Sequence, residues 1–380
     1  MPIYKMTGKK NGKQRYRVRI NYTDNLGKAH QLDRAVYGLE EAKMLEYKLS
    51  SDIKNKKETP SAGMTISDLY EEYINAKRYE VRETTLDKSV RIIARYIVPE
   101  CGSTKLSKFN VAAVQKWKMY MEGLNVGITT KRNVYGVFHA MVNYAVKMEY
   151  MSRNVLEQAG NFKAPLDTTA TKEMQYYTAD EFKRFIAAVK SEAETAEAKG
   201  ELYKWNFYVF FNIAFYTGMR KGEINALQWT DIKDGRISIT KSVAQKLKGP
   251  DRITPPKNKS SIRTIQIPLP LMAVLEQHKE RCSAIDGFAD SWYICGGVRC
   301  IRDTSVQKTL QRCAEAAGVK AIRVHDFRHS HASLLANEGI NIQEIARRLG
   351  HAKISMTWDT YSHLYPREEE RAVKVLNNIL

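Results

Sequence analysis

The chain has 380 residues, 61 Lys+Arg against 42 Asp+Glu, a formal net charge of +19 and 43% hydrophobic residues. That length predicts two or three domains, and a basic excess of that size on a foldable chain points to a polyanionic partner. No stretch reaches the roughly 20 apolar residues that a membrane span needs, and the polar, basic N-terminus carries no apolar signal segment, so nucleic acid is favoured over an anionic membrane. The five cysteines, Cys101, Cys282, Cys295, Cys300 and Cys313, form no regular framework. An odd, scattered set suits reduced thiols in a cytoplasm.

Residues 1 to 60 read as a small separate unit, with 14 Lys+Arg against 7 Asp+Glu and hence +7. Tyr16, Val18, Ile20 and Tyr22 alternate with Arg15, Arg17, Arg19 and Asn21. This period of two predicts a strand with one apolar and one cationic face. Asp24 to Gly27 supplies turn chemistry, residues 28 to 37 supply a return strand, and residues 39 to 57 have helical spacing. The arginine face is either a solvated sheet surface or a DNA-facing one.

Thr59-Pro60-Ser61-Ala62-Gly63 has linker composition. Thr65 and Asp68 then suggest a capping box, and helical spacing recurs near residues 84–97, 110–123 and 128–149. Residues 64 to 158 are therefore expected to form an all-helical domain of about four helices. Its basic residues Lys88, Arg91, Arg95, Lys116, Lys118, Lys131 and Arg132 suit either a solvated surface or half of a DNA clamp. Residues 159 to 176 read as a linker. Thr178 and Glu181 form a second capping-box pattern that opens a third, mixed domain with a strand region near residues 236 to 268. The apolar run from Phe207 to Tyr216 reads as a buried core helix.

The third domain holds several reactive side chains in ordered contexts. Thr217-Gly218-Met219-Arg220-Lys221-Gly222-Glu223 follows the buried helix, and Arg220 is expected at the start of the next one. His325-Asp326-Phe327-Arg328 places a histidine and an arginine one turn apart on one helix face. Leu349-Gly350-His351 ends a helix with an Ile342, Ile345 and Leu349 stripe, and Tyr361 follows ten residues later. Five of the eight histidines lie between His325 and His363. Their spacing, and that of Cys295 and Cys300, lacks the tight repeats of structural zinc sites, so no metal site is expected.

In order and spacing these motifs resemble the tyrosine recombinase family of phage and conjugative-transposon integrases. The resemblance is carried by TGMRKGE at 217–223, HDFRHSHAS at 325–333, LGH at 349–351 and the tyrosine of DTYSHL at 359–364. It implies a multidomain α+β protein. A small sheet-plus-helix arm-site DNA-binding domain would occupy 1–60, and a helical core-site DNA-binding domain 64–158. A mainly α catalytic domain with a small antiparallel sheet and a C-terminal tail would occupy 172–380.

The resemblance also implies a site-specific DNA recombinase that integrates and excises a mobile element or prophage. Tyr361 would attack a DNA phosphate, giving a 3′-phosphotyrosine and a free 5′-hydroxyl. Arg220 and Arg328 would hold the phosphate oxygens with planar forks, His351 would add a hydrogen bond, and His325 would be the base-like residue. A hairpin lysine would protonate the leaving oxygen. Lys257 is preferred and Lys259 is the alternative, although the surrounding residues depart from the family pattern. Glu223 would orient the site or form an ordinary helix salt bridge. Tyr365 lies too far from His351 for the family spacing. Transesterification conserves the phosphodiester energy, so neither ATP, a cofactor nor an obligatory metal is implied.

The implied partners are double-stranded DNA at core and arm sites, a homotetramer on DNA, a DNA-bending host protein and an excision factor. The implied compartment is the cytoplasm of a bacterial or phage-infected cell. After Pro366, Val373, Leu376 and Leu380 fall on one helical stripe, which is expected to dock either on its own domain or, as the resemblance implies, on a neighbouring protomer; the second reading is favoured. Two other classes share parts of this profile: a non-enzymatic DNA-binding protein, which would lack catalytic residues, and a relaxing type IB topoisomerase, which needs no second DNA site.

Overall fold

The computed structural model describes residues 3–10, 12–23, 29–55, 63–163, 174–245, 251–256 and 259–365, together with Val373 and Leu376, with Thr23, Ala29, residues 52–55 and Lys259 described in the backbone alone. The chain divides into two compact units, Met1–Ala170 and Thr171–Leu380.

The first unit opens with an antiparallel sheet in the order β1 (Ile3–Lys10), β2 (Lys13–Thr23), β3 (Ala29–Tyr37). The helix Leu39–Asn55 packs on it. Alternation in β2 sends Val18 inward, where it and Ala42 of the helix are fully buried. The arginines lie on the other side of the strand. Arg17 Nε donates to both carboxylate oxygens of Asp33 at 2.7 Å, and Arg19 Nη2 donates to the same residue at 3.1 Å. One acid therefore serves two cations, and the face remains positive. Strand β1 has no counterpart in the expectations, because its sequence is broken by a register shift between Lys5 and Lys9.

The helical part comprises Ile66–Lys77, Glu83–Tyr96, Val111–Gly123 and Ile128–Lys147, with short helices Val98–Cys101 and Val155–Ala159. Thr65 and Asp68 close the expected capping box. Trp117 is the largest core side chain, edge-on to Phe138 at 5.0 Å and to Phe162 at 5.7 Å. The core thus reaches past residue 158 into the expected linker, because Phe162 is an apolar anchor whose carbonyl also accepts from Arg132. Several of the basic side chains here are engaged within this part of the chain. Lys118 donates to the carbonyls of Ala159 and Gly160, the buried Lys131 pairs with Glu122, and Lys116 pairs with Glu100.

The second unit is built around the helix Trp205–Thr217. It is apolar on nearly every side, and ten of its residues are buried; such a helix must be enclosed. Packed on it are the helices Ala179–Glu197, Lys221–Ala226, Leu269–Ser283 and Asp326–Asn337. Asn212, the polar break in the run, is satisfied by donating to the Tyr208 carbonyl at 2.8 Å. Phe182 stacks on Phe215 at 3.7 Å, and Phe211 stacks on Phe327 at 5.3 Å. Truncating one such ring costs about 3–5 kcal/mol.

A small antiparallel sheet runs β4 (Ile232–Lys233), β5 (Arg236–Ile239), β8 (Arg263–Gln266), and β6 (Ser242–Ala244) pairs with β7 (Arg252–Thr254). The remaining helices are Asp303–Ala316, Ile342–Leu349 and Ser355–Tyr361. All five cysteines are buried and free. Among the described residues, no helix is long and apolar enough to cross a membrane. Of the expected C-terminal stripe, Val373 and Leu376 are helical and exposed, while Leu380 lies outside the described residues.

Candidate active site

Two helix ends shape the site. The helix Trp205–Thr217 stops at Gly218, which adopts left-handed backbone, φ +63°. A Cβ there would lie 2.7 Å from His331 and 2.8 Å from Leu349, so glycine meets both the turn and the close approach. The helix Ile342–Leu349 stops at Gly350, φ +66°. The turns at Gly218 and Gly350 thus lie close together, and arginine side chains bond to their carbonyls.

Arg328, one turn into the helix Asp326–Asn337, is 4% exposed. Its Nη1 donates to the Gly218 carbonyl at 2.8 Å and its Nη2 to the Leu349 carbonyl at 2.6 Å. Burial, reinforced by Arg220 and Arg263, lowers its pKa to about 9, still on the protonated side of neutrality. Arg220 precedes the helix Lys221–Ala226. Its Nη1 donates to Glu223 at 2.9 Å, its Nη2 reaches the Gly350 carbonyl at 3.4 Å, and its side chain is 38% exposed. Both guanidinium groups are held by partners within the fold, and that of Arg220 is the more open toward solvent.

Glu223 is buried between two arginines. It accepts from Arg220, and from Arg263 Nη2 at 2.9 Å. Burial pushes its carboxyl pKa up, but the Arg263 hydrogen bonds and charge, with help from Arg220, outweigh it and hold the group ionised. Glu223 forms the helix salt bridge with Arg220 and also fixes Arg263. Arg263 donates in turn to the carbonyls of Arg348 and Ser261 at 2.6 and 3.0 Å. It was legible in sequence only as a strand residue, because its partners are far away along the chain.

His351 Nδ1 lies 2.8 Å from the hydroxyl of the fully buried Thr357. Burial, then the charges of Arg328, Arg220 and Arg263, pushes the His351 pKa down to about 4. The imidazole is neutral at physiological pH. Tyr361 ends the helix that carries Thr357 and is 2% exposed. Its hydroxyl is 2.7 Å from His329 Nδ1. Burial raises its pKa to about 12, and Arg328 opposes that rise.

His325 caps the helix of Arg328, its ring edge-on to His329 at 5.5 Å, and burial lowers its pKa. His331 Nδ1 donates to the Phe215 carbonyl at 2.9 Å and packs the turn at Gly218. Tyr365 is tied elsewhere, its hydroxyl donating to the Ile340 carbonyl at 2.7 Å.

Arg220, Glu223, Arg328, His351 and Tyr361 are thus gathered at one place, with His325 at its side. Lys257 lies outside the described residues. Lys259 opens a short turn, Lys259–Ser261, before β8. Arg15, Arg17 and Arg19 belong to the other compact unit. Two residues that the motifs did not single out, Arg263 and Thr357, are in contact with the site, as is His329 of the HDFRHSHAS motif, which was expected to pack near it without an assigned role. Among the described residues, no group of three or more His, Cys, Asp or Glu side chains is arranged to hold a metal.

A buried tyrosine near Arg328 lies on a mainly helical unit with a small antiparallel sheet, and the comparisons show a tyrosine-type site-specific DNA recombinase. Residues 175–368 match the Phage integrase family, and residues 65–121 match the Phage integrase, N-terminal SAM-like domain. The chain belongs to the phage integrase family.

It is 26% identical to the ICEBs1 integrase of Bacillus subtilis (strain 168) over 355 residues, covering 90% of each chain. It is 27% identical to a tyrosine recombinase XerC-like protein of Caldanaerobacter subterraneus subsp. tengcongensis, covering 97% of each. Its fold resembles the Tn1549 transposon integrase in complex with a circular intermediate DNA, with a TM-score of 0.64 and 18% identity, covering 82% of this chain and 99% of that one. It also resembles a lambda integrase tetramer bound to a Holliday junction, with a TM-score of 0.57 and 15% identity, covering 97% of each.

Proposed function

We propose that Tyr361 cuts and rejoins DNA at the centre formed by Arg220, Arg328 and His351. One observation carries this reading: the turn Leu349–His351 is bonded to every part of the centre. Leu349 accepts from Arg328, Gly350 accepts from Arg220, and His351 is held by Thr357 on the helix of Tyr361. A phosphate placed here meets two guanidinium forks. It also meets the His351 Nε2–H, which is a donor when Thr357 donates to Nδ1.

Tyr361 Oη then bonds to the 3′-side phosphorus and the P–O5′ bond breaks. The phenolic proton passes to a neutral imidazole of the His325–His329 turn, and a lysine protonates the leaving 5′-oxygen. Charge that develops on the phosphate is stabilised by preorganised donors, which supply the greater part of the rate acceleration in many enzymes. Lys257 is the preferred acid and Lys259 the alternative. Replacing each separately and supplying a 5′-bridging phosphorothiolate, whose leaving group needs no proton, decides between them. Cleavage should be rescued only in the variant that lacks the acid. Rescue of neither places the acid elsewhere.

The partner is double-stranded DNA. Residues 1–60 read as an arm-site domain with Arg15, Arg17 and Arg19 facing phosphate, 64–158 as the core-site domain, and 172–380 as the catalytic domain. Four protomers assemble on DNA in the cytoplasm, and the exposed Val373 and Leu376 suit docking of the tail on a neighbour. A DNA-bending host protein and an excision factor would set direction. Removing residues 1–60 should spare core-site cleavage and abolish arm-site binding, measured by mobility shift. Unchanged arm affinity in the truncated protein would refute the second DNA-binding domain. Binding at both sites should fall steeply with salt, as cationic side chains release counterions.

A further inference from the structure

The Tyr361 hydroxyl is a poor nucleophile as it stands. With a pKa near 12, about one molecule in 10⁵ carries phenolate at pH 7. Some group must take the proton as the oxygen attacks. Among the described residues the hydroxyl has one hydrogen-bond partner, His329 Nδ1 at 2.7 Å. The rings stand 5.8 Å apart and tilted by 52°, so the contact is a directed hydrogen bond and not a stack. His325, the base-like residue of the motif, meets the His329 ring edge-on from one turn earlier, at the cap of the same helix.

We propose that His329 is a catalytic residue of this recombinase, the general base that takes the Tyr361 proton. This rests on Tyr361 being the nucleophile. In the step, the Tyr361 O–P bond forms, the phenolic proton moves to His329 Nδ1, the P–O5′ bond breaks and the leaving oxygen takes its proton from the lysine. For Nδ1 to accept, the ring proton sits on Nε2.

The surroundings keep the imidazole unprotonated. Burial lowers its pKa, Asp326 raises it, and Arg323 and Arg328 lower it further. His325 and Tyr361 are further titratable groups against it among the described residues. A neutral acceptor within hydrogen-bond distance of the attacking oxygen has both the geometry and the protonation state that a base needs.

The test is single-turnover cleavage against pH, on a nicked suicide duplex carrying the DNA sequence trapped covalently on the wild-type protein. The variants are His329→Ala, His329→Gln, His325→Ala and Tyr361→Phe. Wild-type cleavage should rise through an acid limb and level off. His329→Ala should bind DNA normally and cleave about 10²–10⁴-fold more slowly at pH 7. Its rate should keep climbing about tenfold per pH unit, because hydroxide must now make the phenolate. His329→Gln, which can accept a hydrogen bond but not a proton, should show the same climb, and it serves if the alanine variant misfolds.

A His329 variant that cleaves at or above the wild-type rate overturns the proposal. So does a loss by one constant factor at every pH, which marks a merely structural residue. The climb appearing in His325→Ala and not in the His329 variants transfers the role to His325. An adduct in Tyr361→Phe would instead overturn the nucleophile on which the proposal rests.

Discussion

Tyr361→Phe is expected to bind DNA with wild-type affinity and to form no covalent protein–DNA adduct. The ring is 2% exposed and packs with Ala332, Ala336, Ile345 and Leu349, and phenylalanine keeps all of that packing. The loss is one hydrogen bond to His329, worth about 0.5–1.5 kcal/mol net, so the melting temperature should move by only a few degrees. No neighbouring hydroxyl replaces it, since Tyr365 is committed to the Ile340 carbonyl and burial raises its pKa. The check is denaturing electrophoresis of labelled suicide DNA beside a mobility-shift titration. An adduct at wild-type yield would remove Tyr361 from the chemistry.

Arg328→Ala should lower cleavage at least 10²–10³-fold, the loss typical of one preorganised transition-state donor, about 2.7–4 kcal/mol. This variant should also be less stable. Arg328 is 4% exposed and holds the carbonyls of Gly218 and Leu349, and each buried acceptor left unpaired costs about 1–3 kcal/mol. Arg328→Lys separates the effects, because one ammonium keeps a charge but cannot reproduce the fork that spans both carbonyls. It should fold better than the alanine variant and still cleave poorly. Single-turnover rates and thermal melts read the two effects independently. Cleavage by Arg328→Ala within tenfold of wild type would refute the assignment of Arg328 to the phosphate.

The site was legible where the chemistry is local in sequence. Arg220 before a helix, the His325–Arg328 pair on one helix face and Gly350 ending a helix follow from capping and glycine rules, and the structure places them there. The helices Glu83–Tyr96, Val111–Gly123 and Ile128–Lys147 fall close to the spans that their apolar spacing predicted.

What was not legible depends on partners distant along the chain. Arg263 meets Glu223 across 40 residues, and no local pattern announces that pairing. His329 lies within the HDFRHSHAS motif and was expected to pack near the site, but its hydrogen bond to Tyr361 spans 32 residues, and no local pattern announces that partner. The basic residues of the helical part show the same limit. Counted as charge, Lys118 and Lys131 suited either a solvated surface or half of a DNA clamp, and charge alone does not show that Lys118 donates to carbonyls near the end of a helix or that Lys131 pairs with Glu122.

The central claim is that DNA is joined through its 3′-phosphate to Tyr361. Its most direct test is to trap the wild-type protein on a suicide duplex, digest the adduct with protease and nuclease, and sequence the nucleotide-bearing peptide by mass spectrometry. The predicted result is a 3′-phosphonucleotide on Tyr361 in the Asp359–Leu364 segment. A nucleotide on Tyr365 or any other residue, or a linkage through a 5′-phosphate, would contradict the account.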